Sequence, residues 1–463
     1  MELRGKHVLI LGLGESGLAC ARWCERQGAR VRVADSRTAP PYLAELKRRV
    51  ASADFCVASF NEGFDKTLLE GIDLLVLSPG LSGGLMPVIH ARAAGIPVVG
   101  EIELFAQGLR SLAQNVPVLA ITGTNGKTTT TALTGHLLRA TGKTVGVAGN
   151  ISPAALTALM DAEDAGALPD IWVLELSSFQ LETTETLNPA AATVLNISDD
   201  HLDRYIDIEE YGSTKARVFI GGGIQVLNRQ DRRVRRMALA DRHVICFGLD
   251  APATTEDFGL RENRGEPWIV QGDRFLLAVS ELPISGLHNA ANAMAALALC
   301  VALGFDAKSL LPALRSFSGL PHRVQKVTTI KGVDWYDDSK GTNVGATVAA
   351  LEGLQRKVVI ILGGEGKGQD FSPLKKAVTK HARAAVLIGC DGPLIEKTIA
   401  RSGVVIESAD SMEDAVLRAY ALARPGDAVL LSPACASFDM FRNYEHRAEV
   451  FIAAVKALER PQC

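Results

Sequence analysis

No apolar run in the 463 residues approaches the ~18 residues of a membrane span, which excludes a transmembrane helix as the organising element. The eight cysteines contain no C-x-x-C pair. Cys20 and Cys24 read as two small residues on one helix, and the pattern suits a reducing cytosol better than secretion. A net charge of −3 leaves no electrostatic footprint for nucleic acid, and the one basic run, Arg232–Arg236, reads as a solvated helix face. Val8–Leu13 is apolar enough for a signal-peptide core, but no small-residue cleavage site follows, so the stretch is expected to be a first strand. The expectation is a cytoplasmic monomer without membrane or nucleic-acid partners. The chain does have well-filled cores to build, with 47% hydrophobic and 22% charged residues. At roughly 150 residues per domain the length predicts about three domains, placed at 1–112, 113–320 and 321–463.

Val118–Thr131 organises the chain. Four apolar residues predict a buried strand, a glycine turn follows, and Lys127 with four threonines opens a helix to about Thr141. Strand, loop, Gly-Lys-Thr and helix make a phosphate cradle, in which backbone N–H groups and the positive helix end face an anion. Gly123, Thr124, Asn125, Gly126, Lys127, Thr128 and Thr129 would contact ATP, with Lys127 reaching the β/γ-phosphates and Thr128 holding Mg²⁺. The loop is shorter than the general G-x-x-x-x-G-K-[ST] pattern, which places glycine where Ile121 stands.

Val8–Gly17 predicts a strand entering Gly12-x-Gly14-x-x-Gly17, then a helix to about Gln27 and a strand Arg30–Ala34 closed by Asp35. This is the dinucleotide-binding arrangement, with an acid about 20 residues beyond the glycines. Read alone it points to NAD, yet the same turn serves any nucleotide diphosphate, and both readings stay open. Asp35-Ser36-Arg37 and Ser78-Pro79-Gly80, after a strand Asp73–Leu77, are placed to contact a base or ribose.

In the central segment, apolar strands Thr144–Gly149, Ile171–Leu176 and Ala191–Ile197 alternate with helices, predicting a parallel sheet covered on both faces. Ligands of such sheets lie beyond the strands' carboxyl ends, where Asn150, Glu175-Leu-Ser177-Ser178 and Asp199–Arg204 fall. Glu175 is a natural Mg²⁺ ligand beside the cradle, and His201 shares that edge. A helix Glu209–Ile220 puts Tyr211 and Lys215 on one face; by its own sequence Lys215 reads as a surface lysine. Ile269–Leu277 predicts a hairpin. Asn289 and Asn292 open an alanine-rich helix, suited to capping or to reading a base edge.

Ser318–Arg323 is a Gly/Pro connection and predicts a hinge. Beyond it, strands Val358–Leu362, Ala385–Ile388 and Ala428–Leu431 predict a second Rossmann-like unit. Three stretches in it look chemical: Tyr336–Asn343, Gly363–Gly368 and Ser432–Asp439. The second lacks Ser/Thr after its lysine, which suits a cation presented to a substrate carboxylate.

Gly-Thr-Asn-Gly-Lys-Thr-Thr, Glu-Leu-Ser-Ser-Phe-Gln, Asp-His-Leu-Asp-Arg, Tyr-x-x-x-Lys-Ala-Arg and His-Asn-x-x-Asn, in that order, resemble the Mur ligase family. Asp-Ser-Lys-x-Thr-Asn-Val and Leu-Ser-Pro-Ala-Cys-Ala-Ser-Phe-Asp are similar to the members that add D-glutamate to UDP-N-acetylmuramoyl-L-alanine. The resemblance implies an α/β protein of three domains: a Rossmann-like UDP-substrate domain, a P-loop-type parallel-sheet ATPase domain and a Rossmann-like amino-acid domain. It implies an ATP-dependent amide ligase acting through an acyl phosphate, with two Mg²⁺ sites. Lys127, Glu175, His201 and Lys215 would be catalytic. Thr128, Glu175, His201 and Lys215 would serve the metals, Lys215 as a CO₂-derived carbamate. Asn292, Arg323 and Asp338 would contact ATP. Gly14, Glu15, Ser16, Gly17, Asp35, Ser36, Arg37, Ser78, Pro79 and Gly80 would bind the uridine diphosphate part, with Asn150, Ser177 and Gln180 further along the substrate. Thr342, Lys367, Ser437, Phe438 and Tyr444 would bind D-glutamate. Glu365 and Tyr444 depart from the family's usual Asp and Phe. A related ligase for another amino acid, an NAD-dependent oxidoreductase and a nucleotide-binding sensor are the competing readings.

Overall fold

A computed structural model describes residues 2–112, 115–201 and 204–459. Ala113, where the central segment was expected to start, and Leu202 and Asp203 of the Asp199–Arg204 motif lie outside the described residues. Three sheets succeed one another along the chain. The first holds β1 (His7–Leu11), β2 (Arg30–Asp35), β3 (Asp54–Val57), β4 (Leu74–Leu77) and β5 (Val98–Val99), all parallel, in the order β3-β2-β1-β4-β5. The second holds β6 (Val118–Thr122), β7 (Val145–Gly149), β8 (Ile171–Glu175), β9 (Ala191–Val194), β10 (Ile224–Asn228), β11 (Val244–Phe247), β12 (Phe258–Asn263), β13 (Glu266–Gln271) and β14 (Arg274–Ala278). Their order is β14-β13-β12-β11-β10-β9-β6-β8-β7. The third holds β15 (Gln325–Ile330), β16 (Val333–Asp337), β17 (Val358–Gly363), β18 (Ala382–Ile388), β19 (Val405–Ser408) and β20 (Ala428–Leu431), ordered β15-β16-β20-β17-β18-β19.

Burial explains why these segments become strands. Every residue of β6, β8 and β9 is buried, which is what a sheet covered by helices on both faces requires. The central sheet is not wholly parallel. β12, β13 and β14 are joined antiparallel at one end, where about half of each strand is partly or fully exposed and a continuous apolar run is unnecessary. The predicted hairpin is β13–β14, and β12 escaped the sequence reading. β15 likewise adds an antiparallel edge to the third sheet. The predicted helix Glu209–Ile220 is an α-helix Ile208–Ala216 continued by a 3₁₀ turn Arg217–Phe219.

Strand order determines where loops meet. In the first sheet β1 lies between β2 and β4, so the loops after β1 and β4 open a crevice at the point where the order reverses. The Ser78 hydroxyl there donates to the Gly12 carbonyl at 2.9 Å. In the second sheet β6 lies between β9 and β8, so the loops after β6, β8 and β9 share one edge.

The helix Glu101–Leu112 links the first sheet to the second and is braced by two buried carboxylates. Glu103 accepts from the Glu185 and Thr186 amides, each at 2.8 Å, and from Gln107. Glu101 accepts from the Leu156 amide at 2.9 Å and the Ser16 hydroxyl at 3.4 Å. Burial dominates these hydrogen bonds and pushes the Glu101 carboxyl up to about 7. An acid raised in the folded state binds more protons there than unfolded, so its contribution falls as pH climbs from about 4.5 to 7. Ionising it costs about 3 kcal/mol. Glu101→Gln, which keeps the acceptor and never ionises, is therefore expected to gain melting temperature relative to wild type as pH rises from 5 to 8. A constant difference across that range would refute the assignment.

Candidate active site

The cradle is built at the end of β6. Gly126 caps the following helix, Lys127–Arg139, with φ of 84°, and an added Cβ there would lie 2.4 Å from Asn292 Oδ1. Both the backbone angle and the close approach require glycine. No side chain caps this helix, so its first N–H groups remain available to an anion. The loop is clasped from β9: the Asn125 amide donates to Asn196 Oδ1 at 2.8 Å, and the Ser198 amide to Thr124 Oγ1 at 3.1 Å. Lys127 Nζ donates to the carbonyls of Gly123 (2.9 Å) and Thr124 (2.8 Å). Burial lowers its pKa, Glu175 and Asp200 oppose that, and Arg323 adds to it. Thr129 is buried on the same turn.

Glu175 ends β8, beside Ile121 of β6. Its Oε1 accepts from Asn150 Nδ2 at 2.9 Å, while its Oε2 is buried without a hydrogen-bond partner. A buried carboxylate oxygen left unpaired is costly, and a hard cation is the partner whose chemistry fits it. Among the described residues no group of three His, Cys, Asp or Glu gathers to hold a metal. Mg²⁺ keeps waters and binds through one or two carboxylates plus phosphate oxygens, so the unpaired Glu175 Oε2 fits it.

Lys215 is not a surface lysine. It is 1% exposed, its Nζ lies 3.4 Å from Thr122 Oγ1 and 4.6 Å from the centre of the Tyr211 ring, and no carboxylate among the described residues pairs with it. Burial holds its pKa well below the usual lysine range, and the neighbouring Lys127 adds to that. The ordinary expectation for an isolated lysine failed because helix Ile208–Ala216 turns its Tyr211/Lys215 face inward. His201 follows β9 with φ of 55°, 3.8 Å from the Asp200 carboxylate and edge-on to Phe179 at 4.7 Å.

The third sheet closes the far side of a cleft of about 340 Å³, lined by Asn125, Gly126, Asn292, Arg323, Asp338 and Lys340 among others. Arg323 Nη2 donates to Thr128 Oγ1 at 2.7 Å, joining the hinge segment to the cradle. Asp338 is buried, accepts from Ser432 Oγ at 2.6 Å and the Val324 amide at 3.2 Å, and is pushed up to about 7 by burial. Asn292 donates to Asn289 Oδ1 at 3.1 Å, and Asn289 to the Ser285 carbonyl at 2.8 Å. Neither asparagine is the N-cap of helix Leu287–Ala302, a place held by Gly286.

At the glycine loop, Gly17 is required because a Cβ would lie 2.1 Å from the Gly12 carbonyl. Gly14 caps helix Glu15–Arg26 with no side-chain bond, leaving that end open as well. Ser36, Pro79 and Gly80 lie on the loops around it, and the Pro79 carbonyl accepts from Arg204. Asp35 is 2% exposed and spends both oxygens internally, on the Leu13 amide at 2.8 Å and on Arg37 Nε and Nη2 at 2.9 and 2.8 Å. The Arg37 hydrogen bond is the leading cause that lowers its pKa to about 2. A ribose acceptor, which the NAD reading needs, would have to displace these bonds. Ser177 and Gln180 are similarly engaged, as the capping box of helix Ser178–Leu181.

In the third sheet the loops after β17 and β20 are tied by paired backbone bonds between Glu365 and Ala436, at 3.1 and 2.9 Å. This brings Lys367, Ser437 and Phe438 together: Ser437 is buried, Phe438 is 65% exposed, and Lys367 Nζ lies 5.9 Å from the Phe438 ring centre. The Thr342 amide bonds the Lys340 carbonyl, and Lys340 Nζ lies 3.8 Å over the Tyr444 ring. Two residues escaped the sequence reading. Arg447, fully buried, donates to Ser339 Oγ and O and to the Cys435 and Ala436 carbonyls. Arg204 pairs with Glu182 at 2.7 Å and donates to the Pro79 and Leu81 carbonyls. Arg204 stood within a quoted motif, whereas nothing local distinguishes Arg447 from an ordinary helix arginine.

Three family descriptions match in succession: Mur ligase MurD-like, N-terminal domain, over residues 6–100; Mur ligase middle domain over 121–300; and Mur ligase, glutamate ligase domain over 322–435. The chain is 57% identical over 461 residues to the UDP-N-acetylmuramoylalanine--D-glutamate ligase of Aromatoleum aromaticum, covering 98% of each chain. It is 55% identical over 460 residues to that of Dechloromonas aromatica, covering 99% of this chain and all of the other. Among solved structures, a MurF ligase from Thermotoga maritima in complex with ADP shares the fold at a TM-score of 0.62 and 18% identity, covering 99% of this chain and 96% of the other. The UDP-N-acetylmuramate-alanine ligase MurC of the same organism does so at 0.58 and 19%, covering 98% and 99%. With such identity along nearly its whole length, the chain belongs to the Mur ligase family.

Proposed function

We propose that this chain is an ATP-dependent ligase joining D-glutamate to UDP-N-acetylmuramoyl-L-alanine in peptidoglycan precursor synthesis, acting in the cytoplasm as a monomer. The observation that carries the reading is its 57% identity to a ligase of that name over 98% of both chains. A carboxylate is a poor electrophile, and ATP supplies the phosphoryl group that makes it an acyl phosphate open to attack by an amine. The protein's part is to bring anions together. Lys127 and the open end of helix Lys127–Arg139 neutralise phosphate charge. Glu175 and Thr128 would hold one Mg²⁺, with His201 serving a second. Arg323, Asn292 and Asp338 would grip the nucleotide from the cleft. The glycine loop, with Ser36, Arg37 and Ser78–Gly80, would take the uridine diphosphate part, and Asn150 the muramoyl part. Asp35, Ser177 and Gln180 would act there by holding backbone in place. Thr342, Lys367, Ser437, Phe438 and Tyr444 would receive D-glutamate.

Burial disfavours the ammonium form of Lys215 and so favours the neutral amine, the form that attacks CO₂. The nitrogen bonds to carbon, loses a proton and leaves an anionic carbamate whose oxygens suit Mg²⁺. The burial of Lys215 and the unpaired oxygen of Glu175 both support that modification.

Three outcomes test this reading. Lys127→Ala is expected to lower kcat about 10³-fold while circular dichroism stays unchanged; near-normal turnover removes the cradle from the mechanism. Lys215→Ala is expected to be nearly inactive and partly restored by a small carboxylic acid filling the vacated space, and full activity without acid defeats the carbamate. Uridine nucleotides, and not NAD, are expected to slow proteolysis within residues 1–112; protection by NAD alone would restore the dehydrogenase reading.

A further inference from the structure

Glu15 opens the helix behind the glycine loop, but its side chain works elsewhere. Its carboxylate accepts from Ser152 Oγ at 2.9 and 3.1 Å, and from the Ala154 amide at 3.1 Å. Both donors belong to the second sheet's unit, in the loop after β7. The same loop is held at its start by Glu175: the Asn150 amide donates to the Glu175 carbonyl at 2.8 Å, and its side chain to Glu175 Oε1 at 2.9 Å. Glu175 Oε2 is the unpaired buried oxygen of the cradle. Five residues, 150–154, therefore span from the glycine loop to the carboxylate beside the phosphates. Ser16, next to Glu15, reinforces the connection through Glu101 and the Leu156 amide.

We infer that Glu15 is a positioning residue that couples the glycine loop to the Asn150–Ala154 loop, and through it to Glu175. Rather than contacting the nucleotide substrate with its side chain, it sets the loop that presents Asn150 and orients Glu175. The inference rests on the proposed function for the identity of the substrate. Charge-assisted bonds to main chain and hydroxyl groups are strong enough to transmit such a constraint.

Peptide-resolved hydrogen exchange with UDP as probe reads the coupling directly. In wild type, UDP is expected to slow exchange in peptides covering 12–18 and 150–156; in Glu15→Ala it slows only the first. Protection of both in the variant, or of the first alone in wild type, overturns the coupling and leaves the nucleotide site standing. No protection in either peptide removes the proposed nucleotide site together with the coupling. In turnover, Glu15→Ala and Ser152→Ala are each expected to raise KM for UDP-N-acetylmuramoyl-L-alanine about tenfold, the size of one hydrogen bond to a charged group. KM for D-glutamate stays within about twofold, and the double variant is no worse than either single one. Glu15→Gln, which retains an acceptor, restores most of the loss. Equal shifts in both KM values, or additive single effects, would reduce Glu15 to an ordinary helix-end contact and refute the inference.

Discussion

The crowding of basic side chains at one poorly solvated loop is the constraint around which this molecule is arranged. Lys127, Lys215 and Arg323 converge on one loop, each with its pKa lowered by burial. Glu175 opposes all three, the partly exposed Asp200 opposes the two lysines, and Asp338 opposes Arg323. Like charges in a poorly solvated site repel strongly. Other features converge on the same loop. Helices Glu15–Arg26 and Lys127–Arg139 both begin at glycines without side-chain caps, presenting open N–H groups. The second sheet reverses order at β6, which delivers the ends of three strands to one edge.

The third sheet completes the arrangement from across the cleft. Arg323 reaches Thr128, and Asn343 reaches Asn125 at 3.1 Å, so the cradle is touched from both sides. Arg447 draws Ser339, Cys435 and Ala436 into one frame behind the Lys340–Tyr444 contact. The cradle loop and the Lys340–Tyr444 region are thus parts of one hydrogen-bonded body rather than separate loops.

The parallel strands at the centre of each sheet were largely legible because burial on both faces demands continuous apolar runs, and β20 falls at Ala428–Leu431 as the sequence predicts; the parallel strands β3, β10, β11, β16 and β19 were not named from the sequence. The antiparallel edges β12 and β15 were not, since half-exposed strands carry weaker patterns. In the site, Lys127 and Glu175 could be placed because strand ends locate them. Asp35, Ser177 and Gln180 could be named but not understood: a carboxylate or hydroxyl at a turn looks the same whether it meets a ligand or the chain's own amides. Lys215 shows the converse. Its sequence surroundings are those of any exposed lysine, and only the packing of Tyr211 and Lys215 against Thr122 reveals an amine held away from water.

The braced helix Glu101–Leu112 bears on how such a protein can be taken apart or recombined. Glu15, Glu101 and Glu103 all belong to the first unit or its connecting helix, yet the groups that satisfy them are largely supplied by the second. Cut away from its neighbour, the first unit would lose the donors of all three carboxylates and uncover two of them, Glu101 and Glu103. Grafted onto a different relative, it would need that relative to offer a hydroxyl and amides at the same points. A cut placed near residue 112 would sever these bonds, so exchanges between relatives should succeed only when the first two units travel together.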